Sequence, residues 1–268
     1  MTRKPYVAGQ FYPSGRERLR ETIAALVDPQ ADPQTAIAIV SPHAGYVYSG
    51  RVAGAVFSSA KIPGICVILG PSHRGIGPLF AIQVRGRWST PLGESPVDEI
   101  LAARIAAATD LVEENDAAHL AEHSLEVQLP FIQYFRPDAA IVPIVVSAEA
   151  RYEDLESLGQ ALAGAIREER RETLIVASTD MSHYVSQKTA EKKDMSAIRR
   201  VLDLDPTGLF ETVMSERISM CGFQPTTAAL VAGRGLGASK AELIRYQTSG
   251  EASGDYAQVV GYAGIRIS

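Results

Sequence analysis

The sequence predicts an α/β fold, a single domain with a mainly parallel or mixed central β-sheet flanked by helices. Three observations predict it. Short apolar runs alternate with helix-length amphipathic segments along the whole chain. Runs such as residues 65–69 (ICVIL) and 140–146 (AIVPIVV) are apolar without alternation, the pattern of strands buried on both faces. Three of the runs are followed closely by a histidine, as expected where ligands bind beyond the carboxyl ends of strands in an open α/β sheet.

Residues 1–15 carry Pro5, Gly9, Pro13 and Gly15 and read as an extended, turn-rich arm, with Gln10, Phe11 and Tyr12 as packing or binding side chains. Ser14 is expected to cap a helix over residues 16–26. Residues 36–40 form a short strand that Pro42 stops; His43 lies just beyond, Gly45 permits a tight turn, and a helix follows over 50–59. The 65–69 strand runs into Gly70-Pro71-Ser72-His73. Residues 80–84 and the surroundings of Trp88 read as a hairpin or short strands, and 91–96 as a loop. Helices are expected over 97–107 and 117–135, the second kinked or ended by Pro130. After the 140–146 strand, a helix over 152–169 places Leu155, Leu158, Leu162 and Ile166 on one stripe. Residues 173–178 (TLIVAS) form a strand leading to Asp180 and His183. Helices over 190–202, 207–215 and 225–232 follow, the last preceded by Cys221-Gly222, and residues 242–248 and 257–267 close the chain as a hairpin across the 250–254 loop.

The 268 residues suit one large domain, and at 46% hydrophobic and 21% charged the core needs neither metal nor disulfide to fold. The net charge of −5 and the lack of a basic tract argue against nucleic acid and membrane surfaces as partners. No long apolar segment follows the first cations, so no secretory signal is expected, and the run at 139–146 is too short to span a bilayer. Two cysteines make no disulfide framework, which makes the cytoplasm the expected location.

The chemistry-bearing residues sit at three predicted strand ends: His43, His73 and the Asp180/His183 pair. In a parallel sheet those ends share one edge, and Cys221 at a loop-to-helix junction can join them. Imidazole and thiolate together suit Zn, Cu(I) and iron. Asp180 reads either as a carboxylate orienting His183 for acid–base work or as a turn cap. Cys66, inside ICVIL, is a core residue, and His119 is expected at the surface. In EHSLE, His123 and Glu126 share a face if the segment is helical. They are candidate pocket residues, with a solvated or capping helix start as the alternative, and Tyr46 joins them as a candidate for the pocket.

The segments VAGQFYP, PHAGYVYSG, ILGPSHRG, AEHSLEVQLPF, STDMSHY and MCGFQPTTAAL resemble the Memo family in order, from about residue 7 to residue 230. That family includes the B proteins of the AmmeMemoRadiSam system and the eukaryotic mediator of cell motility, and it is similar to the class III extradiol dioxygenases in fold and site position. The resemblance implies a LigB-like fold over residues 1–268. It implies a metal site at His43, His73 and Cys221, with Asp180 and His183 as the polar pair beside it. It makes Fe(2+) the first expectation for the cofactor, with Cu(+) or Zn(2+) as alternatives. It also implies an AMMECR-type protein and a radical SAM protein as partners. Cys221 stands where the dioxygenases carry a glutamate ligand, and thiolate in place of carboxylate favours softer metals, so ring cleavage does not follow from the fold.

Three functions compete at this level. One is a metal-dependent redox enzyme of the dioxygenase-like type. Another is metal-free catalysis with Cys221 as nucleophile, His183 as base and Asp180 as orienter. The third is a regulatory module that recognises a peptide or a partner protein.

Overall fold

A computed structural model describes all 268 residues. The strands are β1 (Thr2–Arg3), β2 (Ala38–Ser41), β3 (Ile65–Pro71), β4 (Phe80–Ile82), β5 (Arg87–Thr90), β6 (Gly93–Pro96), β7 (Val112–Glu114), β8 (Ala140–Val146), β9 (Thr173–Ser178), β10 (His183–Val185), β11 (Ala241–Thr248) and β12 (Val259–Ile267). The helices are α1 (Arg16–Leu26), α2 (Tyr46–Ser59), α3 (Glu99–Ala107), α4 (Ala117–Leu120), α5 (Leu129–Phe135), α6 (Tyr152–Glu168), α7 (Gln187–Leu202), α8 (Pro206–Ser215), α9 (Phe223–Gly235) and α10 (Gly250–Ser253).

The main sheet runs β10-β12-β2-β9-β3-β8-β4-β7, with β11 paired to β12. Its centre, β2-β9-β3-β8, is parallel, while β12 and β4 join its two sides antiparallel. The expected α/β architecture with a mixed, centrally parallel sheet is therefore present. The central strands are buried nearly throughout, which their unbroken apolar runs require. Helices cover both faces. On β12, Gly264 lies under Val52 and Val56 of α2, while Ile267, pointing to the other face, meets Gly233 of α9. Cys66 is fully buried in this core, as expected. No helix is long and apolar enough to cross a membrane.

The differences from the sequence reading have local causes. Gly15, not Ser14, stands at the cap position of α1, with no side-chain hydrogen bond. Of the two segments read as a hairpin, β4 joins the main sheet against β8, whereas Trp88 lies in β5. The 91–96 segment is not all loop: β6 pairs with β5, and β1 adds beside it, giving a separate three-stranded sheet. The helix expected over 117–135 is broken. After α4 the chain turns, makes a 3-10 turn over Glu126–Gln128, and Pro130 then begins α5 rather than ending a helix. The Glu122 carboxylate accepts the Ser124 amide at 2.8 Å, a local bond that competes with helical pairing in the turn. His119 is buried, not at the surface, with its ring edge-on to Trp88 at 5.8 Å between centroids.

The amino-terminal arm is anchored by one carboxylate. Glu126, 0% exposed, accepts from the Arg3 guanidinium at 2.7 Å, the Tyr6 and Val7 amides at 2.8 and 2.9 Å, and the Tyr12 hydroxyl at 2.7 Å. Arg3 also donates to the carbonyls of His119 and Glu122, at 2.7 and 2.9 Å, and stacks on Trp88 at 4.2 Å. Arg3→Ala would strand a buried carboxylate, so a loss of about 3–5 kcal/mol in unfolding free energy is expected in urea titration.

Candidate metal centre

The carboxyl edge of the parallel strands gathers the functional side chains. His43 follows β2, His73 follows β3 and Asp180 follows β9; β2 and β3 both flank β9, so residues more than a hundred apart in sequence become neighbours. His123 arrives from the turn before the 3-10 segment. The ring nitrogens of His43, His73 and His123 lie within 4.8 Å of one another, a group that can hold a metal ion. The rings of His73 and His123 stack at 4.4 Å between centroids, and His43 meets both edge-on at 5.1 and 5.5 Å.

Cys221 enters at the start of α9. Its Sγ lies 3.2 Å from His43 Nε2 and accepts the Asp180 amide at 3.3 Å. The approach depends on Gly222, where a Cβ would sit 2.3 Å from the Ser178 carbonyl oxygen, closer than atoms can approach. The sulfur thus adjoins the histidine group at His43.

Asp180 serves the His43 turn. Its Oδ1 accepts the His43 amide at 2.8 Å, and its other oxygen is 4.0 Å from His43 Nε2. The Asp180–His183 pairing expected from the sequence is corrected. His183 Nδ1 lies 2.8 Å from both the Met181 and the Ser219 carbonyl oxygens, so backbone rather than Asp180 orients that ring. The turn-cap reading of Asp180 is the one the geometry matches.

Glu122 lies outside the site residues that the sequence predicts, yet it is in direct contact with His73. Its carboxylate takes the His73 amide at 2.7 Å and lies 2.9 Å from His73 Nδ1. The EHSLE motif marks the segment, but nothing in its spacing separates Glu122 from Glu126. Glu126 faces away from the cleft and holds the arm. Tyr46 is also buried outside the cleft, donating its hydroxyl to the Val127 carbonyl at 2.7 Å. Of the three candidate pocket residues, only His123 lines it.

The electrostatics suit a ligand set. Burial, reinforced by the neighbouring imidazoles, holds His43 well below the usual histidine range, and burial and His73 bring His123 down to about 4. Both rings are neutral at pH 7, with a lone pair available to an ion. Burial raises the Asp180 carboxyl to about 6 against the opposing pull of the His43 amide. Burial and the Asp180 charge push the Cys221 thiol up, so without a metal it is a poor nucleophile. That, and its placement against His43 rather than His183, weighs against the Cys–His–Asp arrangement.

The centre opens into a cleft of about 620 Å³. Phe11, Tyr48, Tyr184 and Tyr262 contribute to its wall, and no lysine or arginine lines it. Tyr184 is 75% exposed and holds a left-handed backbone at φ 55°, a conformation that non-glycine residues seldom adopt.

Comparison with known proteins gives the family. A family model described as "Memo-like protein" matches residues 3–266. A MEMO1 family protein of Methanopyrus kandleri is 40% identical over 99% of this chain and 98% of its own length. One from Methanothermobacter thermautotrophicus is 40% identical over 98% and 99%, and one from Pyrobaculum aerophilum is 42% identical over 98% of each. The chain belongs to the Memo family. Among solved structures, an uncharacterized protein of Escherichia coli K12 shares the fold, with a TM-score of 0.53 at 13% identity over 84% of this chain and 98% of that one.

Gly222→Ala tests how Cys221 is delivered. The clash with Ser178 is expected to cost about 1–3 kcal/mol in urea unfolding and to speed alkylation of Cys221 in the folded protein. Cys66, sealed in the core, serves as the internal reference.

Proposed function

We propose that this Memo-family chain is a metal-dependent redox enzyme acting on a small organic substrate. The observation that carries the reading is the convergence of three imidazoles within 4.8 Å at the carboxyl edge of the sheet, facing an aromatic-walled cleft. In this reading His43 and His73 are common ligands, and Cys221 and His123 compete for the third position. The family resemblance puts Fe(2+) first, and a set of imidazoles with a nearby thiol also suits Cu(+) or Zn(2+). Bound there, a redox-active ion would supply open coordination positions and electron-transfer chemistry.

The chain's own groups would do the rest. His183, its Nδ1 held by two carbonyls, has Nε2 left to take a proton from a bound substrate. Asp180 keeps the His43 turn closed. The aromatic wall would bind a flat organic molecule and exclude water. The lack of lysine and arginine in the cleft favours an uncharged or cationic substrate over a phosphorylated peptide, which would need cationic partners.

Anaerobic purification, Fe(2+) loading and elemental analysis test the ligands. The wild type is expected to hold about one ion per chain and His43→Ala less than a tenth of that; equal content in the two would overturn the assignment. Cys221→Ser and His123→Ala, compared in the same assay, identify the third ligand as the one whose loss releases the ion.

A further inference from the structure

A neutral imidazole carries one proton, and only the nitrogen without it can bind a metal. The surroundings of His43 and His73 decide where that proton sits. His43 Nδ1 is 2.9 Å from Ser178 Oγ. The Ser178 hydroxyl donates its single hydrogen to the Ser124 carbonyl at 2.6 Å. It also accepts from the Gln128 side-chain amide at 2.8 Å. The orientation of that amide is settled in turn, because the same nitrogen faces the Pro42 carbonyl at 2.9 Å. With its hydrogen committed, Ser178 Oγ can only accept from His43, so the proton is on Nδ1.

At His73 the acceptor is a carboxylate. Glu122 Oε1 lies 2.9 Å from His73 Nδ1 and takes the Ser124 amide at 2.8 Å, while Oε2 takes the His73 amide at 2.7 Å. Both oxygens already accept a backbone N–H, which favours the ionised carboxylate, and an ionised carboxylate can only accept from His73, so the imidazole proton is on Nδ1.

We propose that Ser178 and Glu122 are positioning residues that hold His43 and His73 as Nδ1–H tautomers, so that both rings present Nε2 to one point before any ion arrives. This rests on the metal-centre reading above and supplies what orients its two shared ligands. Such outer partners of metal-binding histidines are worth 10- to 100-fold in metal affinity. Glu122 is fitted to the task only as a carboxylate. In Glu122→Gln an amide NH2 would be set against an N–H that needs an acceptor.

The test uses the metal-free full chain with 15N-labelled histidine, read by long-range proton–nitrogen NMR near neutral pH. His43 and His73 are expected with hydrogen on Nδ1 and bare Nε2. Ser178→Ala is expected to mix the His43 tautomers and Ser178→Thr, which keeps the hydroxyl, to restore one. Zn(2+) alone, titrated by calorimetry, should bind about 10- to 100-fold more weakly to Ser178→Ala and to Glu122→Gln, with Ser178→Thr near the wild type. A proton on Nε2 of either ring in the wild type, or a His43 tautomer indifferent to Ser178→Ala, would overturn the proposal. Because the NMR reading needs no metal, the two ideas separate. Fixed tautomers in a chain that binds neither Zn(2+) nor Fe(2+) would sink the metal-centre reading and leave the positioning roles standing. Metal binding with unfixed tautomers would do the reverse.

Discussion

A carboxylate with no contact to water dictates much of this structure. Glu126 is buried completely, and a buried charge must be met by donors on every side. The arm supplies them from Arg3, Tyr6, Val7 and Tyr12. Meeting that demand folds the first dozen residues across the segment that carries Glu122 and His123. Phe11 is thereby brought to 4.9 Å from the His123 ring, so the arm forms part of the cleft wall. Arg3 completes the link by holding the Glu122 backbone while the Glu122 side chain holds His73. The position of His73 therefore depends on a guanidinium seventy residues earlier in the chain.

The second constraint is the parallel sheet. Parallel strands leave their carboxyl ends on one edge, and the loops that follow β2, β3 and β9 must emerge together. This makes the site's location a consequence of topology, and the histidines its occupants. Gly222 performs the last adjustment by letting α9 close on β9 until sulfur reaches His43.

Those two constraints explain what the sequence disclosed and what it hid. Strands such as Ala140–Val146 and Thr173–Ser178 were legible to the residue, because burial on both faces leaves an uninterrupted apolar run. His43 and His73 were legible because strand ends are marked by proline and glycine. The 117–135 segment misled because its apolar spacing is helical, while the Glu122 side chain and Pro130 divide it through contacts that periodicity does not encode. Glu122 and Glu126 have the same side chain and lie four residues apart. Only the fold shows that one serves a histidine and the other the arm. Asp180 and His183 looked paired because they are near in sequence, yet each found a nearer partner elsewhere. His119 looked exposed because a lone histidine carries no record of the tryptophan it packs on.

The arm's dependence on Glu126 also orders events in time. Arg3 and Glu126 are 123 positions apart. At common translation rates of about 5–20 residues per second, the arm leaves the ribosome roughly 6–25 seconds before its anchor does. Cys221 follows almost a hundred residues later. During synthesis, then, the arm's guanidinium and amides wait in water, and the histidine cluster closes only after most of the sheet is available. Bringing Cys221 against the clustered histidines is therefore bound to be a late step, because it waits on both β9 and α9.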